Sequence, residues 1–382
     1  METVFWASFA VVAYVYVGYP MLLAAWARVR PAPRLRPRSD AFTPDVSIVL
    51  AARNEAARLP GRIDNLLQMD YPGDRRQIVV VSDGSSDGSM SVLSRYPNVD
   101  AVQVAAGGKA LAVNAGVALA DRELLVFADA RQAFAPDALR ELVAPFQDPE
   151  IGAVTGELLL DAESPGRRVA TRDRRVDMAP AGHSDRRARS ERRRTVFSTI
   201  ADGVGLYWRY EKSIRHFESA IGSTTGVTGA IYAMRRSLWR PLPAGAILDD
   251  VLTPLRLVMA GYRVVFSERA RAFDRTAPDA HVEARRKIRT LAGNYQLLCL
   301  EPRLLLPWRN PVFLQFVSHK LGRLVVPYAL VALIASSMTL AGRSPLYAAA
   351  LAGQCLFYLL AAYGAWLEWQ DERAQMSGAV HA

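Results

Sequence analysis

Several carboxylates and cations in this 382-residue chain stand directly after short apolar runs. Arg53, Asn54 and Glu55 follow "VSIVLAA", Asp83 follows "QIVVVS", Lys109 follows a Gly107-Gly108 pair, and Asp129-Ala130-Arg131 closes "LLVFADAR". Carboxylates so placed can accept hydrogen bonds or ligate a hard cation, and the basic groups can meet phosphate as charge partners. Each residue alone reads equally well as a helix cap or a turn residue. Polar groups at four successive run ends are harder to explain one at a time. Farther along, Asp249 and Asp250 open the helical repeat "DDVLTPLRLVMAGY", where the helix dipole by itself favours acids. Arg286 and Arg289 sit one turn apart on a helix expected from Pro278 to Leu300. "TGVTGAIYAMRR" carries Gly226 and Gly229, suited either to a tight turn or to close approach of backbone to a ligand.

The pattern from Asp45 to Ala130 indicates what must position these groups. "VSIVLAA", "QIVVVSD" and "LLVFADA" lack in-out alternation, as strands buried on both faces do, and they alternate with amphipathic segments such as "RIDNLLQM" and "KALAVNAGVAL". That order predicts an open α/β domain with a mostly parallel sheet, in which ligands collect at the carboxyl ends of the strands. The polar residues fall at those ends.

Three familiar loops are excluded by the residues they require. A dinucleotide-binding turn needs G-x-G-x-x-G after the first strand, where the chain reads "RNEAARL". A Walker A loop needs glycine at position 103 and Ser or Thr at 110, and the chain has Gln103 and Ala110. "DGSSDG" begins like a calcium loop, but Ser94 occupies the place of the closing Glu and a strand precedes it. Cys299 and Cys355 have neither metal spacing nor a disulfide framework. The net charge of +10 comes without a helix-turn-helix, zinc-finger or RNP pattern, so anionic lipid and not nucleic acid is the expected partner for it.

In order and spacing, "VSIVLAARNEAARL", "VVVSDGSSDGS", "GGKALAVNAG", "FADA", "TGVTGAIYAMRR", "ILDDVLTPLRLVMAGYRVVF" and "RRKIRTLAGN" resemble the successive motifs of a family 2 glycosyltransferase. The flanking apolar segments resemble its membrane-anchored bacterial exopolysaccharide-type members. The resemblance implies a GT-A fold, a nucleotide-diphosphate sugar donor with a UDP-sugar favoured, Mg2+ or Mn2+, and inversion at the anomeric carbon. It places Arg53, Glu55 and Asp83 at the nucleoside, with Asp83 accepting from a base N–H, and Lys109 at the diphosphate or sugar. Asp129 matches the first acid of the D-x-D motif and is the implied metal ligand. Arg131 replaces the second acid, where it meets phosphate directly or points to solvent, and this leaves metal dependence open. Asp250 is the implied general base with Asp249 as its electrostatic neighbour, and Gly229, Arg286 and Arg289 belong to the acceptor or diphosphate side. Arg286-x-x-Arg289-Thr290 stands in the place of the Q-x-x-R-W motif of processive relatives without its Gln or Trp, which favours transfer of a single sugar. Two other readings stay open: a processive polysaccharide synthase, and a nucleotide-binding scaffold of weak catalytic power.

Apolar residues concentrate at the two ends, and the mean hydropathy is +0.05. Residues 1–27 include the charge-free "VFWASFAVVAYVYVGYPMLLAAWA", enough for the roughly 20 residues that cross a bilayer core. No basic stretch precedes it, so an anchor is expected and not a cleaved leader. Arg28, Arg30, Arg34, Arg36 and Arg38 follow it, which sets the N-terminus outside and the next segment in the cytoplasm of a bacterial inner membrane. Residues 28–44 read as a stiff Pro-rich linker, 45–300 as the cytoplasmic GT-A domain, and 162–205 as an arginine-dense insertion unable to bury a core. Residues 301–323 are either an interfacial helix or an extension of the next crossing. Residues 324–368 make two further crossings, with Arg343 in the turn between them against the charge rule, and 369–382 form a cytoplasmic tail. The expected acceptor is an envelope or exopolysaccharide one, carried on a lipid.

Overall fold

The computed structural model describes residues 1–33, 39, 41–160, 209–274 and 280–379, so the arginine-dense insertion and positions 34–38 and 40 of the basic linker lie outside the described residues. The chain forms two compact units, one of Leu23–Pro278 with Ala292–Phe313 and one of Met1–Leu22, Asp279–Leu291 and Leu314–Ala382.

The first unit is built on an eight-stranded sheet: β1 (Val46–Ala52), β2 (Arg76–Asp83), β3 (Asp100–Val104), β4 (Leu124–Ala128), β5 (Ala133–Phe134), β6 (Ile151–Leu160), β7 (Ile231–Arg235) and β8 (Arg263–Asp274). Their order is β3-β2-β1-β4-β7-β6-β8-β5. The half made of β3, β2, β1 and β4 is parallel, as the buried runs predict, so all four strands end on one edge. β7 then runs antiparallel to both β4 and β6, β6 and β8 are parallel, and β5 closes the sheet antiparallel to β8. The reversal at β7 matters for the site. Ile231 pairs with Ala128, so the residues just before β7 arrive at the edge where Asp129 leaves β4.

Both faces of β1 are covered. Val46, Ile48 and Leu50 are fully buried against Leu59, Ile63 and Leu66 of the helix Leu59–Leu67. On the opposite face, Val49 and Val81 meet the helix Lys109–Leu119 at Gly116, where a Cβ would come to 2.6 Å from Val49 Cγ1 and 3.1 Å from Val81 Cγ2. Only a glycine lets that helix sit so close. Each such buried aliphatic side chain contributes about 1.5–3 kcal/mol, and the close seat fixes the helix whose first residue is Lys109.

The second unit holds most of the helix Glu2–Val29 together with Phe313–Leu340 and Pro345–Ala379. Pro20 cannot donate to the preceding turn, and the helix accommodates it with a π-helical stretch at Tyr14–Gly18. Phe5 packs edge-to-face on Tyr347 at 4.9 Å between ring centroids, the Tyr14 hydroxyl bonds Ser318 at 2.7 Å, and Val15 fills the space over Gly322. The segment that allowed two readings, interfacial helix or extension, runs from Phe313 through a π-helical stretch at Phe316–Leu321 and on to Leu340 as one helix. Glu2–Val29, Phe313–Leu340 and Pro345–Leu367 are each long and apolar enough to cross a membrane. Arg343, in the turn between the last two, lies 3.9 Å from Glu2, a pair too exposed to add much stability.

Gly116→Val should destabilise the first unit by about 1–3 kcal/mol through overpacking, more than the gain in helix propensity of under about 1 kcal/mol. The measurement is the unfolding temperature of detergent-purified protein. An unchanged value would mean that the helix can lift away from the sheet without loss.

Candidate active site

Asp83, at the end of β2, is buried at 4% exposure, and the turn before the helix Lys109–Leu119 closes on it. Its Oδ1 accepts the N–H groups of Gly107 at 2.7 Å and Gly108 at 3.1 Å, and its Oδ2 lies 3.1 Å from the same Gly108 nitrogen. Gly108 has φ +86°, a conformation side chains rarely adopt, so the turn needs glycine there. The buried carboxylate thus sets where the lysine stem begins. The turns after β1 and β2 brace each other as well: Asn54, at φ +55°, donates its N–H to Ser85 Oγ and accepts that of Ser86, while Asp87 accepts the N–H of Ala56. Hydrogen bonds from Ser89 and Ala56 hold the Asp87 carboxyl below the usual range.

Lys109 Nζ stands 3.5 Å from Asp129 Oδ1 and 3.4 Å from Asp249 Oδ2, which joins the end of β4 to the start of the helix Asp249–Met259. Gly229 forms a wall beside them. A Cβ there would lie 3.5 Å from Asp250 Oδ2 and 3.7 Å from Lys109 Nζ, so any side chain would enter the space in front of both.

The start of the acidic helix is fastened from two directions. Pro254 has no N–H to give the carbonyl of Asp250, and that carbonyl accepts the N–H of Val227 at 2.8 Å instead. Thr228 anchors the same loop, donating its N–H to Thr155 Oγ1 at 2.8 Å and its hydroxyl to the Gly156 carbonyl at 3.1 Å. Opposite, Gly293 admits Leu248, whose Cγ would be 2.5 Å from a Cβ at that position.

Burial lowers the pKa of the Lys109 ammonium, but Asp249, Asp129 and Asp250 together outweigh it and hold the group above the ordinary lysine value, with a third of the side chain still exposed. Tyr232, buried in β7 and stacked on Phe127 at 4.5 Å, keeps its proton: burial first, then the charges of Asp249, Asp250 and Asp129, push its phenol well above the ordinary value. Arg62 is 3% exposed and lies over the Phe134 ring at 4.1 Å. One of its nitrogens donates to Asn65 at 2.6 Å, while Nε and Nη2 are buried without a partner. Burial draws its guanidinium down to about 9 against the opposing charge of Asp129, so it stays charged at neutral pH and acts on Asp129 as a second cation.

Of the residues predicted from the sequence, Lys109, Asp129, Asp249, Asp250 and Gly229 come together. Asp83 commits its oxygens to the glycine turn, with the Arg53 guanidinium 3.9 Å away, and Glu55 pairs with Arg58 at 2.5 Å. Arg131 is exposed. Arg286 and Arg289 are exposed on a helical segment that belongs to the other unit. Sequence reasoning missed Tyr232, Arg62 and Pro254. A signal for Arg62 exists: it shares the buried face of its helix with Leu59, Ile63 and Leu66 at helical spacing, an unusual place for a cation.

Among the described residues, no group of three or more His, Cys, Asp or Glu is arranged to hold a metal ion. Asp129 offers one hard oxygen donor at the rim, which suits Mg2+ or Mn2+ when phosphate and water oxygens complete the shell. These residues therefore fit an ion that arrives with a diphosphate.

The sequence profile described as Glycosyltransferase like family 2 matches residues 44–293, more than half of the chain. The chain belongs to this family. Beta-monoglucosyldiacylglycerol synthase of Synechocystis sp. is 33% identical to this family 2 chain over 118 residues, 29% of the chain and 25% of that protein. N-acetylglucosaminyltransferase of Rhizobium sp. is 29% identical over 164 residues, 41% of the chain and 36% of that protein. The family 2 chain therefore spans about a quarter to a third of the length of these relatives. Among solved structures, mannosyltransferase PcManGT from Pyrobaculum calidifontis, in complex with GDP-Man and Mn2+, superposes with a TM-score of 0.68 at 22% identity, over 96% of this chain and 94% of its own. That likeness is one of fold, and the fold is the expected GT-A arrangement.

Arg62→Met should leave stability at neutral pH unchanged or raise it, because it removes a buried charge whose partner Asp129 keeps Lys109 and solvent. Chemical denaturation is the check. A loss above about 2 kcal/mol would mean that the guanidinium is needed to hold the Asp129 loop in place.

Proposed function

We propose that the chain is an inverting glycosyltransferase that moves a sugar from a nucleoside diphosphate sugar to the hydroxyl of an acceptor presented at a membrane. One observation carries the reading: acids from two separate segments, Asp129 and Asp249, meet on the single ammonium of Lys109. The reading assigns Asp129 to the donor and Asp249-Asp250 to the acceptor. In the reaction, the acceptor oxygen forms a bond to the anomeric carbon as the bond to the diphosphate breaks on the opposite face. The hydroxyl proton goes to Asp250, whose Oδ2 lies beside the space kept open by Gly229. Asp249 keeps the lysine against the acid pair, and Lys109 offsets charge developing on the departing diphosphate. A divalent ion held by Asp129 would supply the same neutralisation when bound.

Arg53, Glu55 and Asp83 are assigned to the nucleoside, and Arg131, exposed two residues after Asp129, to phosphate. Arg286 and Arg289 are assigned to the acceptor or diphosphate on sequence pattern alone. Three helices among the described residues that are able to cross a membrane, together with a relative named for making a glucosyl diacylglycerol, support a lipid-linked acceptor at the cytoplasmic face of a bacterial inner membrane. The GDP-Man bound by the similar mannosyltransferase, beside the UDP-sugar that the family motifs favour, leaves both kinds of donor to be tried.

The test uses full-length protein in detergent with radiolabelled UDP- and GDP-sugars and a bacterial lipid extract. Asp250→Asn should lower turnover by about 10²–10⁴-fold while donor affinity, read by calorimetry, stays within a few-fold. Equal loss of affinity and turnover would remove Asp250 as the base.

A further inference from the structure

Lys109 occupies a place that a cation between donor and acceptor groups would otherwise take. Its Nζ is nearly equidistant from Asp129 Oδ1 and Asp249 Oδ2, at 3.5 and 3.4 Å, and Asp250 flanks the same space across Gly229. The stem is not free to wander, since Asp83 clamps the two glycines before it and Gly116 seats its helix against the sheet. The lysine side chain is nevertheless a third exposed, so the site is open to solvent on one side and oxygens of an incoming ligand can approach it.

We propose that Lys109 is a built-in counter-ion that keeps bare divalent cations off Asp129 and Asp249, so that metal enters only together with a diphosphate. This rests on the donor-site reading above. A divalent ion approaching Asp129 alone meets a fixed positive charge a few ångströms away, and the repulsion is strong in a partly buried site. A diphosphate changes that balance. Its oxygens offer the lysine new acceptors and the ion new ligands, so one of the three ammonium N–H groups can turn from Asp129 to phosphate while another stays on Asp249. Lys109 thereby positions Asp129 for the metal without itself touching it. The acid that would serve as base is also kept within the field of an ammonium until a donor is present.

The experiment is an electron paramagnetic resonance titration of Mn2+ with the full chain in detergent, for wild type, Lys109→Met and Lys109→Gln, with and without UDP or GDP. Wild type should leave Mn2+ in solution until a nucleotide is added, whereas both variants should bind it without nucleotide, at least about tenfold tighter than wild type. Wild-type protein that binds bare Mn2+ as tightly as the variants overturns the inference, as do folded variants that bind none. Lys109→Gln keeps a hydrogen-bonding side chain of similar length, so the question stays answerable if Lys109→Met does not fold. If the variants gain bare Mn2+ binding while neither nucleotide draws Mn2+ into wild type, the blocking role of Lys109 stands and the donor-site reading falls.

Discussion

An ammonium held among three carboxylates is the arrangement on which the rest of the α/β unit depends. Acids gathered on one ammonium repel one another, and a charge of opposite sign offsets that repulsion. Lys109 opposes it, at 3.4 Å from Asp249 and 3.5 Å from Asp129, with Asp250 adding to its field. The acids come from segments far apart in the chain, so the sheet must bring both ends to one edge. The reversed strand β7 does this by delivering Gly229 and its loop beside the end of β4. Sheet order and charge balance are thus two descriptions of one constraint.

The frame around the ammonium is stiff where it must be and open where it can be. Asp83 fixes the backbone before Lys109 through two glycine amides, and Thr228 fixes the loop that carries Gly229. Side chains at the rim keep contact with solvent, about a third of the surface for both Lys109 and Asp129, and so can exchange partners while their backbones stay in place.

Much of this was legible in the sequence, for reasons that can be named. The parallel half was readable because β1, β2 and β4 are buried on both faces and their runs lack alternation. Asp129, Lys109, Asp249 and Asp250 were singled out by their positions at the ends of runs and at a helix start, and they do converge. The pairing among them was not readable, because contact between distant segments leaves no local trace. Asp83 was read as a nucleoside contact, and its oxygens also accept the amides of the glycine turn; a carboxylate followed a few dozen residues later by Gly-Gly is not by itself a visible motif for that second task. Arg62 and Tyr232 were missed because an arginine in an amphipathic helix and a tyrosine in a strand are usually ordinary. Only their neighbours, Phe134 and Asn65 for one and the three acids for the other, mark them out.

Pro254 carries a consequence for how such a site can change over time. By withholding an N–H from its own helix, it leaves the Asp250 carbonyl for Val227, and the loop is tied to the acidic helix by main chain alone. Every residue except proline can supply that N–H. The side chain at 227 can therefore change without unfastening the acids, while Thr228 and Gly229 beside it keep their own contacts, and a substitution there that alters which hydroxyl is welcomed need not disturb the residue that would deprotonate it. The tether separates the drift of specificity from the upkeep of chemistry.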